Sequence, residues 1–286
     1  MLTEREIQFE AIKSTVQDLQ SKTIQLFRQD PVKGIRSHGC GILFTYNFEY
    51  FILTAYHNLA DEDFDTITAR VGPHLPRLRP CVVKYSKVVG TPSLDKIDIA
   101  VIHLQSSELI AMLHQYNSFT HLSDIRLDLQ NINKKVDKFS LFGYPGSKTK
   151  PKYNVDREYT ISALYTEVRP ANKIHGKLKE HGFSAHIIFD KPKKGYNYFT
   201  NQQITSPQMK GLSGCGLWIL TSLDVEKLRY NSKLVGIFTE LHFGQGFATR
   251  IDFVTELMRA HFGTYTMPGS HFVREWKGKY GTQHRL

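Results

Sequence analysis

Residues 51–57 read Phe51-Ile52-Leu53-Thr54-Ala55-Tyr56-His57, an apolar and β-prone run that ends abruptly in a histidine. Just upstream stands Gly39-Cys40-Gly41-Ile42-Leu43-Phe44, with Asn47 in the short turn between the two. Working outward, the same texture recurs at Gly41–Thr45, Tyr50–Ala55, Thr66–Val71, Cys81–Val89 and Ile97–Leu104. A second series follows at Lys138–Phe142, Tyr159–Val168, Phe183–Phe189, Gly216–Leu220, Lys233–Thr239 and Gly246–Ile251. Many short strands at near-regular spacing, with turn residues such as Gly90-Thr91-Pro92 between them, predict an all-β barrel or sandwich.

Helical patterns frame these two series. Residues 3–30 carry Phe9, Ile12, Val16 and Leu19 at three- and four-residue steps, with Thr3 and Glu6 as a capping box and Asp30-Pro31 as a stop. This predicts one N-terminal helix packed on the body of the protein. Residues 106–116 predict a second helix, and 118–135 a polar connector. The segment DFVTELMRAHF sets Phe253, Leu257 and Met258 on one face of a closing helix, and 264–286 form a basic tail.

Three local patterns carry chemistry, and their order matters. An apolar strand runs into His57. Asp98 opens the apolar run Ile99-Ala100-Val101-Ile102. Ser213 stands between glycines in Gly211-Leu212-Ser213-Gly214 and leads into a strand. A serine hydroxyl is a poor nucleophile at neutral pH, so a neutral imidazole must take its proton. A carboxylate must fix the imidazole tautomer and stabilise its charged form. Backbone N–H groups must meet the developing oxyanion, and glycine lets the chain turn them inward. His57, Asp98 and Ser213 supply the catalytic set, and Gly211 with Ser213 the oxyanion donors. Asp95 is an alternative orienter, but the apolar run starts directly after Asp98. Cys215 reads as a small buried hydrophobe.

Leu53-Thr54-Ala55-Tyr56-His57, Asp98-Ile99-Ala100-Val101 and Gly211-Leu212-Ser213-Gly214, in that order, resemble the chymotrypsin/trypsin-like serine proteases, specifically the intracellular, bacterial-type peptidases. The likeness extends over roughly residues 35–260 and includes Leu234-Val235-Gly236-Ile237 and Ala248-Thr249-Arg250-Ile251. It implies two six-stranded antiparallel β-barrels with N- and C-terminal helices. The chain then divides into a helical segment (1–34), a first barrel with His57 and Asp98 (35–117), a connector (118–135), a second barrel with Ser213 and the closing helix (136–262), and a basic tail (263–286). The resemblance implies a serine endopeptidase acting on protein substrates, in systems that include antiviral and stress responses. It also places a substrate pocket at Pro207, Gln208, Thr239, Glu240 and His242. Pro207 stands where basic-residue enzymes of the family carry aspartate, which disfavours Arg/Lys preference and leaves a polar or small apolar one.

Two departures from the family pattern bear on compartment and control. Asn58 follows His57 where many secreted members carry a cysteine that pairs with one at the position of Cys40, so Cys40 lacks that partner. Leu212 replaces the aspartate on which activation by clipping depends. A loop without that charge anchor implies a marginal active geometry, steadied by an activating protein or nucleoprotein partner.

Three cysteines are too few and too scattered for a disulfide scaffold or a zinc site, so neither a metal nor another cofactor is expected. The opening MLTEREIQFEAIK is no secretory signal, and no apolar run approaches the roughly 18 residues of a membrane helix. A cytoplasmic protein with reduced thiols follows. A net charge of +10 favours acidic partners; Lys134-Lys135, Lys148–Lys152 and Lys191–Lys194 are basic loop clusters that read first as solvated surface, with direct nucleic-acid contact as the alternative. The rival readings are a catalytically silent relative that binds proteins and a basic nucleic-acid-associated protein.

Overall fold

Glu6 N–H donates to Thr3 Oγ1 at 3.3 Å and Thr3 N–H to the Glu6 carboxylate at 2.7 Å. This capping box starts α1 (Glu4–Lys22). The computed structural model describes residues 3–30, 34–59, 66–88, 97–127, 129, 138–146, 150–151, 159–160, 163–171, 173, 175, 185–191, 193–197, 202–205, 209–271, 273–275 and 284–285.

The helix expected over 3–30 ends early. Residues 23–30 are the strand β1 (Thr23–Asp30), and Thr23 Oγ1 closes α1 by donating to the Leu19 carbonyl at 2.8 Å. Thr23 and Ile24 are β-branched, and Ile24 and Leu26 alternate into the core, so strand period wins over helix period here. The first barrel therefore begins at Thr23, ahead of the expected residue 35. It continues with β2 (Gly34–Tyr46), β3 (Glu49–Thr54), β4 (Ile67–Ala69), β5 (Cys81–Tyr85), the short β6 (Lys87–Val88) and β7 (Ala100–Leu104). Helix α2 (Ser107–Tyr116) follows, capped by Ser106.

The remaining strands are β8 (Lys138–Gly143), β9 (Lys150–Pro151), β10 (Tyr159–Thr160), β11 (Leu164–Pro170), β12 (His186–Asp190), β13 (Lys194–Asn197), β14 (Gln202–Thr205), β15 (Gly216–Asp224), β16 (Arg229–His242) and β17 (Gln245–Arg250). Helix α3 (Ile251–His261) and the short β18 (His284–Arg285) complete the order. The first sheet runs β4-β1-β2-β3-β7-β5, six antiparallel strands. Residues 76–78 lie along β4 before the chain enters β5, which brings the two edges together. The second sheet closes on itself as β12-β17-β16-β15-β8-β11, again six strands, because β11 also pairs with β12. The hairpin β13–β14 extends it from β11.

Each barrel has its own core, and a third cluster fills the seam between them. Leu43 and Ile52 point into the first barrel; Ile42, Phe44, Phe51 and Leu53 point into the seam. In the second barrel Leu217 and Ile219 face inward while Trp218 faces the seam. Strand segments covered on both faces must be apolar at every position, which is why Ile42–Phe44 of β2 and Phe51–Leu53 of β3 read as continuous apolar runs. Each fully buried Leu, Ile or Phe stabilises the fold by about 1.5–3 kcal/mol relative to exposure. Phe253, Leu257 and Met258 of α3 join this seam, as their common helical face predicts.

Helix α1 packs across the second barrel through Val16 and Leu19. Its Lys22, nearly buried, donates to Asp18 at 3.0 Å and Asp124 at 3.3 Å, and Arg229 reaches Asp18 at 2.8 Å. The connector is more than a polar link. Thr120 exchanges backbone bonds with Leu43 and Thr45 of the first barrel, and Arg126 N–H donates to Leu234 of the second. The tail is also partly docked: Met267, Ser270 and Val273 are buried, and Ser270 Oγ donates to the buried Asp252 carboxylate at 2.6 Å.

Candidate active site

A 3-10 turn, Tyr56–Asn58, follows β3 and carries His57. Asp98 sits just before β7 in the left-handed region, at φ 42. That backbone lets one residue face the turn twice. The Asp98 carbonyl accepts from Tyr56 N–H at 3.2 Å, and its Oδ1 accepts from His57 N–H at 2.9 Å. Oδ2 is then 2.6 Å from His57 Nδ1. The carboxylate therefore fixes the ring with Nδ1 protonated and Nε2 free to act as base. Asp95 lies outside the described residues.

Burial disfavours a charged His57 ring. The Asp98 hydrogen bond and charge, with the charge of Glu240, outweigh it, and the pKa rises above the ordinary imidazole value. The ring remains half-exposed while Asp98 is largely covered, the arrangement a base that meets substrate requires.

Ser213 lies in the turn before β15. Gly211 has φ 89 and Gly214 φ 86, both in the left-handed region. A Cβ at Gly214 would stand 2.0 Å from the Cys40 carbonyl oxygen, and one at Gly211 2.3 Å from Gly146 N. Both positions therefore demand glycine. The Lys210 carbonyl accepts from Gly146 N–H at 2.9 Å. Because the peptide is planar and trans, pinning that oxygen aims the Gly211 N–H the opposite way. Among the described residues, neither Gly211 N–H nor Ser213 N–H has an acceptor. Two unpaired donors flanking the serine are what an oxyanion site needs.

As expected from the sequence, no charged side chain anchors this turn at position 212. Leu212 is completely buried in the second barrel's core and holds the turn by packing instead of charge. The Ser213 carbonyl is gripped by the first barrel, accepting from Cys40 N–H at 2.7 Å and Asn58 Nδ2 at 2.9 Å.

The Ser213 hydroxyl donates to the Thr239 carbonyl oxygen, not to His57. His57 and Asp98 are thus assembled as a pair, while Ser213, its carbonyl held by the neighbouring Asn58, turns its hydroxyl toward β16. Of the expected pocket residues, Thr239 lies in β16 with its own hydroxyl on the Phe247 carbonyl. Glu240 and His242 form an exposed pair at 2.7 Å on the same strand. Pro207 and Gln208 lie outside the described residues, as do Lys134-Lys135, Lys148 and Lys152 of the basic clusters.

Cys40 and Cys215 are fully buried, and all three cysteines are free. Burial pushes the Cys40 thiol up to about 12, and Cys215 rises for the same reason, aided by Cys40. Neither is a thiolate nucleophile at neutral pH. Cys40 Sγ instead bridges Tyr144 N–H at 3.3 Å and the Gly211 carbonyl at 3.4 Å. Among the described residues no group of three or more His, Cys, Asp and Glu is placed to hold a metal, and no helix is long and apolar enough to cross a membrane. Sequence reasoning noted Asn58 only as a missing cysteine and overlooked Gly146. Both act through contacts far apart in the chain, for which a local pattern gives no signal.

No family model matches the chain, and no curated protein matches it. Among solved structures, one from work on aromatic interactions that drive the coupled folding and binding of the intrinsically disordered Sesbania mosaic virus VPg protein is similar at 11% identity. Its TM-score is 0.45, over 82% of this chain and 87% of that one. At that level the likeness assigns neither chemistry nor partner.

Proposed function

We propose that the chain is a serine endopeptidase that cleaves polypeptides through an acyl-enzyme. The observation that carries the reading is the Asp98–His57 pair, with both carboxylate oxygens engaged by one residue. It stands beside a glycine-forced turn whose two N–H groups are unpaired among the described residues.

In the proposed reaction Ser213 Oγ attacks the substrate carbonyl carbon while His57 Nε2 takes its proton. The carbonyl π pair moves onto oxygen, where the Gly211 and Ser213 N–H groups receive it. Asp98 stays ionised and offsets the charge on the imidazolium. Collapse expels the amine, to which His57 returns the proton, and water repeats the sequence on the ester. The hydroxyl must first leave the Thr239 carbonyl. Rotation about χ1 exchanges one hydrogen bond for another, a small net change. We assign the turned-away hydroxyl to a resting state, raised by a protein or nucleoprotein partner in a reducing cytoplasm.

The same hydroxyl favours a second reading, a trypsin-like binding module that keeps the triad residues without using them. A peptide library incubated with the purified chain separates the two. Cleavage abolished in Ser213→Ala supports the enzyme; equal cleavage by Ser213→Ala, or none by the wild type with any cellular fraction added, refutes it.

A further inference from the structure

We propose that Asn58 is a positioning residue that sets the register between base and nucleophile across the two barrels. The inference rests on the serine-endopeptidase reading and adds to it the part that aligns the two reacting groups.

Asn58 follows His57 directly, in the same 3-10 turn, and its side chain is buried at 1% exposure. Its Nδ2 donates to the Ser213 carbonyl at 2.9 Å and to Thr54 Oγ1 at 3.1 Å. An amide nitrogen carries two hydrogens, so both are committed. The partners fix which way the amide points. A carbonyl oxygen only accepts, and Thr54 Oγ1 spends its own proton on the Cys40 carbonyl at 2.8 Å. The Ser213 carbonyl also accepts from Cys40 N–H, which fills its second lone pair.

The space around the amide is fitted to it from both barrels. A Cβ at Gly39 would stand 2.4 Å from Nδ2, and one at Gly214 2.9 Å from it. Two glycines distant in sequence thus make room for one side chain. The result is a short rigid path from the base to the nucleophile. His57 N–H is held by Asp98, and the buried, doubly bonded side-chain amide of the next residue holds Ser213. A displacement of about 1 Å between such groups costs about 100-fold in rate.

The test uses the full chain and a fluorophosphonate probe, whose phosphorus the serine oxygen attacks with loss of fluoride; the phosphonylation rate constant and the probe's affinity are measured separately. Asn58→Ala deletes the amide, and Asn58→Asp keeps its size while removing the donor. The proposal expects phosphonylation slowed by about 10- to 100-fold in both, probe affinity within about twofold, and a thermal midpoint only a few degrees lower. A folded Asn58→Asp that is phosphonylated like wild type overturns it, as does a loss confined to probe affinity. Should Asn58→Ala fail to fold, Asn58→Ser, whose hydroxyl is too short to reach Ser213, takes its place. Hydrogen exchange gives a readout independent of catalysis. Faster exchange confined to residues 211–216 supports the assignment, and unchanged exchange there overturns it. If the wild type itself is never labelled at Ser213, the endopeptidase reading fails, and the exchange result alone decides whether Asn58 holds the turn.

Discussion

Replacing Gly211 by alanine tests whether the oxyanion site is built as the geometry indicates. At φ 89 a residue with a Cβ carries about 1–2 kcal/mol of backbone strain. The new Cβ would also stand 2.3 Å from Gly146 N and 2.8 Å from its Cα. Both are backbone atoms, so relief requires the Gly146–Lys210 hydrogen bond to open, at about 0.5–1.5 kcal/mol. The fold should lose roughly 2–3 kcal/mol, a fall of about 4–10 °C in the midpoint of a chain this size. The chemical cost is larger. Once the Lys210 carbonyl is free, the 210–211 peptide rotates and Gly211 N–H leaves the site. Losing one such donor slows acyl transfer by about 100- to 1,000-fold. Fluorophosphonate labelling rates and calorimetric melting on the same preparation measure both. A folded Gly211→Ala that is phosphonylated within about threefold of the wild-type rate would refute the assigned donor, because the loss of one donor is a far larger effect.

Asp98→Asn should leave the fold intact and reduce turnover by about 10⁴-fold, since the amide stabilises the wrong imidazole tautomer; a steady-state peptidase assay reads this, and near-normal turnover counts against Asp98 as orienter. Glu240→Gln removes a charge that raises the His57 pKa, so the acid limb of the rate–pH profile, above the ordinary imidazole value in wild type, should move to lower pH; an unmoved limb contradicts the coupling. The stability that His57 contributes is complete below the ordinary imidazole value and disappears as pH rises through its raised value, which denaturant titrations at several pH values detect. Lys22→Ala should destabilise the fold by about 1–3 kcal/mol, because Asp124 loses a partner while Asp18 keeps Arg229; a midpoint unchanged in urea rules out a structural role for that network.

The barrels were legible because their seam is apolar on both sides. Ile42-Leu43-Phe44 and Phe51-Ile52-Leu53 announce strands wherever they fall, and the second leads into His57. His57 and Asp98 were legible for the same reason, standing at the ends of such runs. Ser213 was legible from its glycines, which the backbone requires at Gly211 and Gly214. The boundary at Thr23 was not, since Ile24 and Phe27 satisfy a helical step as well as a strand. The docking of Met267, Ser270 and Val273 was hidden because it depends on Asp252 meeting Ser270, a tertiary contact that no local pattern announces. The direction of the Ser213 hydroxyl, onto the Thr239 carbonyl, was also beyond the sequence, because a rotamer choice leaves no trace in residue pattern.

The central claim is that Ser213 is a nucleophile activated by His57. Treating the purified chain with a fluorophosphonate and mapping the adduct by mass spectrometry tests it most directly. The account predicts one adduct, on Ser213, absent in Ser213→Ala and formed far more slowly in His57→Ala. An adduct on any other residue, or a wild-type chain that stays unmodified under conditions that fully label a known serine hydrolase, would contradict it.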